Sequence, residues 1–320
     1  MLKLLAILLL CMFAGVNFAC AQDAEKALKE FEGKVLVLRH PLHGGSQRYD
    51  AEGKVLKGGN EEPWTSHGGV LIERILLTPD KLRVDGKRMM FAFSKKEFLL
   101  VELKKLKEHE DPPFSPDINI EIVLGHSIDS EEQARNTLNK VFALSTEDLL
   151  AAVPDFWRSC LTDRLTYDPS RTRETEFYWR APEVSIKRPV PIVDRKKPVG
   201  EPVLKSKEDR KVENQTKFTE DGEPLMHVGD GVSPPRPIHT PEPEYANIAR
   251  YESFHGVDVV TIIVGTDGRV HKAWLARPLG LGLDESSIAT VKTWRFQPAF
   301  SGDKEPVAVE INIEVSFNLY

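Results

Sequence analysis

Cysteine is scarce in this chain of 320 residues, and its placement excludes a fold held together by disulfide bonds. The three cysteines are Cys11, Cys20 and Cys160, and the first two lie in the apolar N-terminal stretch. Once that stretch is removed, Cys160 has no partner for an internal disulfide. We therefore interpret Cys160 as a small buried side chain.

An excess of positive charge is also missing. The formal net charge is −6, so the total charge gives no sign of a nucleic-acid partner. The most basic segment, residues 187–211, has nine Lys and Arg against four Asp and Glu. Contact with anionic envelope components is one interpretation of this segment, and a solvated linker is the simpler one.

Motifs that carry catalysis, metal binding or phosphate binding are absent as well. Gly280-Leu281-Gly282 lacks the lysine of a phosphate-binding loop and the third glycine of a dinucleotide-binding turn. His40 and His43 have no cysteine or carboxylate close by that would complete a metal site. No nucleophile-elbow pattern occurs either. We therefore expect no enzymatic activity, no cofactor and no bound metal.

The first 21 residues read as an export signal. Lys3 precedes the apolar run from Leu4 to Phe13, and Ala19-Cys20-Ala21 fits a cleavage site. An apolar stretch of 16 residues, Leu4 to Ala19, is shorter than the roughly 20 that a spanning helix needs. The sequence therefore predicts a signal peptide over residues 1–21 and a periplasmic protein. An uncleaved signal anchor in the inner membrane is the main alternative, and a lipid on Cys20 is a second one.

Residues 29–165 are predicted to form one β-rich domain. Short apolar runs are separated by turn residues, and Asp85-Gly86 between two such runs predicts a hairpin turn. Ser130 and Ser145 are placed to cap two helices near the end of this region. No known family is recognised in it, and its role is not predicted.

A change in composition marks the predicted linker, residues 182–236. Eleven of the 22 prolines of the chain lie between Pro182 and Pro243, and Phe218 is the only aromatic residue between Pro182 and Thr240. Such a segment buries too little apolar surface to offset the entropy lost on ordering. We expect it to be extended and flexible.

The last region, residues 237–320, reads as helix, hairpin, helix and strand around an antiparallel sheet. The first helix is predicted over Glu244–Phe254, and the hairpin turns at Gly265–Gly268. Asp284 is placed to cap a helix that extends to about Thr293. From Val307 to Leu319 apolar and polar residues alternate, which predicts a long half-buried strand. The fold class is therefore α+β.

From about Pro237 to Leu319 the chain resembles the TonB C-terminal domain, whose family includes energy transducers. The resemblance rests on the joint order and spacing of residues from Pro243 to Val307, and we assign structural roles to nine of them. They are Tyr245, Gly256, Asp267, Gly268, Leu283, Asp284, Trp294, Phe296 and Pro298. In WRFQPA we expect Trp294 and Phe296 to end the second helix and Pro298 to turn the chain toward the last strand.

The resemblance implies a partner and a binding mode. TonB-type domains bind the TonB-box peptide of outer-membrane transporters, and an inner-membrane proton-driven motor supplies the energy. Binding by strand addition requires an exposed sheet edge. We expect the last strand to provide it, through Val307, Val309, Glu310, Ile311, Asn312, Ile313, Glu314 and Val315.

Two departures from the family leave a second function open. The N-terminal apolar segment contains no histidine for motor coupling, since the first histidine is His40. A large β-rich domain also precedes the linker, where a typical transducer has none. The alternative is a periplasmic adaptor or scaffold that uses the TonB-type domain for docking without a motor.

Overall fold

The structure, a computed structural model, describes residues 22–93, 98–102, 114–171, 177–181, 219, 222, 224–229 and 231–319. The predicted signal peptide and most of the predicted linker lie outside these residues. Within them, no helix combines the length and the apolar character that crossing a bilayer requires.

The N-terminal part is built on an eight-stranded mixed sheet with helices on its faces. Its helices are α1 (residues 22–29), α2 (Trp64–His67), α3 (Glu131–Val141), α4 (Thr146–Ala152) and α5 (Asp155–Leu161). Its strands are β1 (Val35–Leu38), β2 (Ser46–Tyr49), β3 (Val55–Lys57), β4 (Gly69–Leu77), β5 (Lys81–Phe93), β6 (Phe98–Glu102), β7 (Asp117–Val123) and β8 (Phe142–Ala143), in the order β3-β2-β7-β5-β4-β1-β8 with β6 paired to β5. Both faces are apolar, because Val35 and Val37 belong to one hydrophobic cluster and Leu36 and Leu38 to another.

Asp85-Gly86 does not form the predicted turn, because both residues lie inside β5. The chain turns instead between β4 and β5, at residues 78–80, where the Thr78 N–H donates to the carbonyl of Lys81 over 2.9 Å. A β-carbon at position 86 would clash with the carbonyl oxygen of Leu71. Gly86 was expected to permit a turn. It instead allows β4 and β5 to approach closely beside a bulge of β4.

Strands continue beyond residue 165, the predicted end of this domain. β9 (Leu165–Tyr167) and β10 (Phe177–Trp179) pair antiparallel. Their aromatic side chains pack against β5, with the rings of Phe93 and Trp179 5.1 Å apart between centroids. The domain is extended to residue 181 by this hairpin, which carries a high share of aromatic residues.

The C-terminal part is α+β, as expected. It begins with β11 (Leu225–Met226) and β12 (Arg236–His239), followed by α6 (Asn247–Tyr251), β13 (Gly256–Val264), β14 (Val270–Arg277), α7 (Leu283–Val291), β15 (Arg295–Gln297), β16 (Ala299–Phe300) and β17 (Pro306–Phe317). One sheet has the order β11-β17-β13-β14, with β16 paired to β17, and β12 pairs with β15. β17 pairs antiparallel with β13 from Val309 to Phe317.

The first helix of this part is shorter than predicted, and the second, Leu283–Val291, begins and ends two residues before the predicted range of Glu285 to about Thr293. The first covers Asn247–Tyr251, where Glu244–Phe254 was expected. The residues Arg295–Gln297 form a strand, so the expectation that Trp294 and Phe296 end a helix is wrong. The Phe296 N–H donates to the carbonyl of Gly268 over 2.8 Å, which ties this strand to the hairpin tip. The conformation of residues 295–297 is set by backbone pairing with residues far along the chain, which local propensity does not reveal.

The two parts of the chain share one hydrophobic core. The buried side chains of Trp64, Phe91 and Trp157 belong to the same cluster as those of Val260 and Leu275. Backbone hydrogen bonds cross the boundary, from Leu281 N–H to the Phe91 carbonyl over 3.1 Å and from Phe93 N–H to the Leu279 carbonyl over 2.9 Å. The N-terminal part therefore holds the C-terminal sheet at a fixed position.

Candidate partner-binding edge

The alternation along β17 follows the pattern read from the sequence. Val309, Ile313, Val315 and Phe317 are buried, and their polar neighbours Glu314 and Ser316 are exposed. Ile311 and Asn312 are half-buried. Ala308 departs from the alternation, since it lies on the polar face and is buried.

The outer edge of β17 is occupied at one end and open at the other. β13 pairs with one edge, and on the other β11 pairs in parallel through Leu225 with Ala308 and Met226 with Val309. Pro306 and Val307 pair with β16. In the described part of the chain no strand besides β13 pairs with residues 310–317. From Ile311 to Phe317, the N–H and C=O groups that face away from β13 are therefore open to an added strand within the described residues.

Of the eight residues predicted for partner binding, five lie on this open edge. They are Ile311, Asn312, Ile313, Glu314 and Val315. Of the other three, Val307 and Val309 pair with β16 and β11, and Glu310 follows Val309 directly. The structure therefore brings the predicted residues onto one strand but divides them between an open stretch and an occupied one.

Polar side chains line the solvent face of this edge. The Thr261 hydroxyl donates to Asn312 Oδ1 over 2.7 Å and so joins β13 to β17. The Glu314 carboxylate is 53% exposed and lies 3.9 Å from the Arg277 guanidinium. Charged side chains on an exposed edge oppose uncontrolled pairing with other chains while leaving the backbone accessible.

Two of the residues given structural roles fix the chain on either side of the helices α6 and α7. The Tyr245 hydroxyl donates to the Phe254 carbonyl over 2.5 Å, and its ring meets that of Phe317 edge-on at 5.5 Å between centroids. The Trp294 Nε1–H donates to the Pro241 carbonyl over 3.0 Å. The first contact ties the chain before α6 to the end of β17, and the second ties it to the residues that follow α7.

Two glycines permit close approach in the same region. Gly268 has a φ of 73°, and a β-carbon there would clash with the Phe296 carbonyl oxygen. Asp267 accepts from the Arg269 N–H over 2.9 Å and contacts His271 Nε2 at 3.0 Å, closing the hairpin. A β-carbon on Gly256 would come within 2.6 Å of Leu279 Cδ1. Pro298 lies beside this hairpin tip, where a β-carbon on Gly268 would come within 3.6 Å of its Cδ.

Comparison with known proteins assigns this region. Residues 241–319 match the model of the family described as Gram-negative bacterial TonB protein C-terminal. These residues form a TonB C-terminal domain. The solution NMR structure of the Pseudomonas aeruginosa TonB CTD is similar at 17% identity, covering 30% of this chain and 94% of that chain with a TM-score of 0.24. No curated protein matches the chain.

Asp284 of the TonB C-terminal domain does not cap its helix as predicted. The N-cap residue is Gly282, whose φ is 77°, and Leu283 begins α7. Asp284 lies fully buried and accepts from the N–H groups of Leu279 at 2.8 Å and Gly280 at 2.5 Å. Burial raises the pKa of this carboxyl well above its usual range, and the nearby carboxyl of Asp258 raises it further. The side chain therefore fixes the loop that contacts β5.

Two further buried carboxyls of the TonB C-terminal domain were missed from the sequence. Glu285 accepts from Trp157 Nε1–H of α5 over 3.0 Å, and burial raises its pKa to about 7. Asp258 on β13 is 0% exposed, and burial raises its pKa to about 7. In the described part of the chain neither Asp258 oxygen has a hydrogen-bond partner. The burial of Asp258 could have been predicted, because it lies in the apolar run GVDVVTIIV and alternates with Val260, Ile262 and Val264, whose side chains face the core.

We expect these carboxyls to make the folded chain less stable as the pH rises. The pKa of Asp258 is raised from 3.8 to about 7, so the folded state holds a proton that the unfolded state has lost. Stability therefore falls between about pH 4 and pH 7 and levels off above. For this one group, the free energy of unfolding should fall by on the order of 2 kcal/mol between pH 5 and pH 8. Urea unfolding of residues 22–320 at several pH values measures this.

The matched variant is Asp258→Asn, which keeps the size of the side chain and removes the titration. It should flatten the pH dependence and raise the stability at pH 8. Equal slopes in parent and variant would show that Asp258 does not titrate in this window.

Proposed function

We propose that this chain is a TonB-like protein of the cell envelope, which binds outer-membrane transporters by β-strand addition to β17. One observation carries the proposal: the open edge at residues 311–317 belongs to a TonB C-terminal domain. Domains of this family are non-enzymatic and bind outer-membrane transporters. An extended TonB-box peptide would complete the N–H and C=O groups of this edge, and alternate side chains would lie on its two faces.

The core face beside the open edge supports an apolar contribution to binding. Ile311 is half-buried on this face and packs at the margin of the main core, as Met226 and Val228 do. A peptide strand laid on the edge would place every second side chain next to these residues. Its other side chains would face Glu310, Asn312 and Glu314, where water remains accessible. Backbone pairing thus supplies affinity, and this apolar margin favours peptides with alternating apolar residues.

Proline substitution at adjacent residues provides a matched test on residues 22–320. Successive residues of a strand direct their N–H groups to opposite edges, so one of Asn312 and Ile313 faces β13 and the other faces the open edge. Proline at the residue that faces β13 removes a hydrogen bond within the sheet and destabilises it. Proline at the residue that faces the open edge keeps the pairing with β13 and removes a donor for the added strand, although at Ile313 it also removes a buried side chain. Circular dichroism and urea unfolding identify which of Asn312→Pro and Ile313→Pro is folded.

We expect the folded proline variant to bind TonB-box peptides of the source cell at least about tenfold more weakly than the parent, measured by calorimetry. The expectation follows because the variant loses one backbone hydrogen bond to the peptide and the peptide strand fits less well beside the proline. Equal affinities for parent and folded variant would refute strand addition at β17. No binding of any such peptide to the parent would refute transporter binding itself.

Energy transduction is the further part of the proposal, and docking without a motor is the alternative. The shared core favours the alternative, because a folded N-terminal part lies against the docking domain where a plain spacer would suffice for a transducer. Sequencing the N-terminus of the protein from the cell separates the two. A chain that begins at Gln22 has no anchor of its own on which a motor could act, whereas an intact chain in the inner-membrane fraction supports transduction.

A further inference from the structure

Part of the predicted linker is a strand of the TonB-type sheet. Leu225 and Met226 pair in parallel with Ala308 and Val309 of β17. This pairing uses the edge of β17 that is open further along. The chain therefore already adds one short strand of its own to the edge on which the proposed partner would bind.

The side chain of Leu225 anchors this strand. Leu225 is 6% exposed and forms a small hydrophobic cluster with Ile263 and Ala308, against which Trp274 packs. The cluster lies on the face of the sheet that the alternation of β17 predicted to be solvated. Leu225 thus explains why Ala308 is buried, and it covers an apolar spot that would otherwise be exposed.

The strand is short because the chain leaves the edge directly after it. Gly229 and Val232 exchange backbone hydrogen bonds of 3.0 Å in a tight turn, and the Ser233 N–H donates to the Phe300 carbonyl over 2.9 Å. Two paired residues alone bind weakly. A tether of about seven residues to Ser233, however, gives β11 an effective concentration on the order of millimolar at this edge.

We propose that Leu225–Met226 is an internal competitor for the peptide-binding edge of β17. The inference rests on the proposed function, since the competing ligand is the transporter peptide. A peptide that pairs along the edge from Ala308 to Phe317 requires the backbone groups that β11 now uses. It pairs with Ala308 and Val309 only in the fraction of molecules in which β11 has left the edge and is otherwise confined to the open stretch, so its apparent affinity is lowered. Binding in turn releases the segment that precedes β12.

The test opens the edge by substitution. Leu225→Asp in residues 22–320 places a charge in the apolar cluster and removes the anchor of β11. We expect TonB-box peptides to bind this variant roughly tenfold more tightly than the parent, by calorimetry. Leu56→Asp is the matched control, because Leu56 is an exposed leucine on the distant strand β3 and its replacement should leave the affinity unchanged.

A disulfide closes the edge instead. Leu225→Cys combined with Ala308→Cys joins two residues that are partners in register. Oxidation should lower the affinity for the same peptides at least about tenfold, and reduction should restore it. The remaining cysteine, Cys160, is buried and does not interfere.

A second probe separates this inference from the proposed function. A labelled peptide with the sequence of residues 219–230, supplied at roughly the millimolar concentration that the tether provides, should bind Leu225→Asp and be excluded from the parent. If TonB-box peptides bind parent and Leu225→Asp equally, internal competition is wrong and transporter binding stands. If only the 219–230 peptide binds, and only to the variant, the internal strand stands and transporter binding is wrong. If no peptide binds either protein, both proposals are wrong.

Discussion

Replacing Trp157 by alanine is expected to lower the free energy of unfolding by about 3–5 kcal/mol, the usual cost of removing a buried tryptophan. Trp157 is 0% exposed, and its ring lies 5.1 Å from Trp64 and 5.5 Å from Phe93 between centroids. Its Nε1–H is the partner of the buried Glu285 carboxylate. The substitution therefore leaves both a cavity and a buried acceptor that has lost its donor.

Trp157→Phe is the control that separates these two losses. It keeps most of the ring volume and removes the hydrogen bond, so we expect an intermediate loss of stability. Glu285→Gln keeps the acceptor and removes the charge, and it should be tolerated at pH 8. Urea unfolding followed by near-ultraviolet circular dichroism measures all three variants. A loss below about 1 kcal/mol for Trp157→Ala would mean that α5 and the TonB-type sheet are not coupled as the shared core implies.

The TonB C-terminal domain is expected to be much less stable without the N-terminal part. A chain of residues 224–320 loses the packing of α5 on β14 and the hydrogen bonds from Leu281 and Gly282 to Phe91 and Thr65. Removing the cover from even two large apolar side chains costs about 3–6 kcal/mol. A domain of this size has little stability to lose. We expect a thermal midpoint at least about 10 °C below that of residues 22–320, together with binding of an apolar dye.

The shortened chain in this comparison must keep β11, because the loss of β11 alone would already expose the edge of β17. Residues 224–320 satisfy this, whereas a chain that starts at residue 237 would not. Adding residues 22–181 as a separate chain should restore the midpoint if the interface is as specific as its hydrogen bonds indicate. An isolated domain as stable as the whole chain would show that the N-terminal part merely lies beside it.

The sequence predicts those elements whose residue pattern is determined by neighbours that are close in sequence. The alternation from Val307 to Leu319 identified β17, because one face of a half-buried strand must be apolar at every second residue. Ser130 was identified as a helix cap, and its hydroxyl accepts from the Gln133 N–H. In both cases the residues close in sequence contain the whole physical cause.

Elements whose cause lies far along the chain could not be predicted in this way. Asp284 has the residue type and position of a cap, but its carboxylate binds the loop at Leu279 and Gly280. Leu225 lies in a short apolar stretch of a Pro-rich region, and only the exposed spot beside Ala308 makes it a strand residue. The partner edge was therefore predicted correctly as a strand, while the segment that covers its beginning was not.

The two edges of β17 are paired over unequal lengths, so under tension the shorter pairing should separate before the longer one. β17 is joined to β13 by nine register pairs and to β11 by two. A pull along the chain that precedes Leu225 loads the two-residue pairing and the packing of the Leu225 side chain, whereas a pull on a peptide laid along β17 is shared among the nine pairs behind it. Tension on the Pro-rich side would thus uncover the edge well before it disturbed the strand that bears the load.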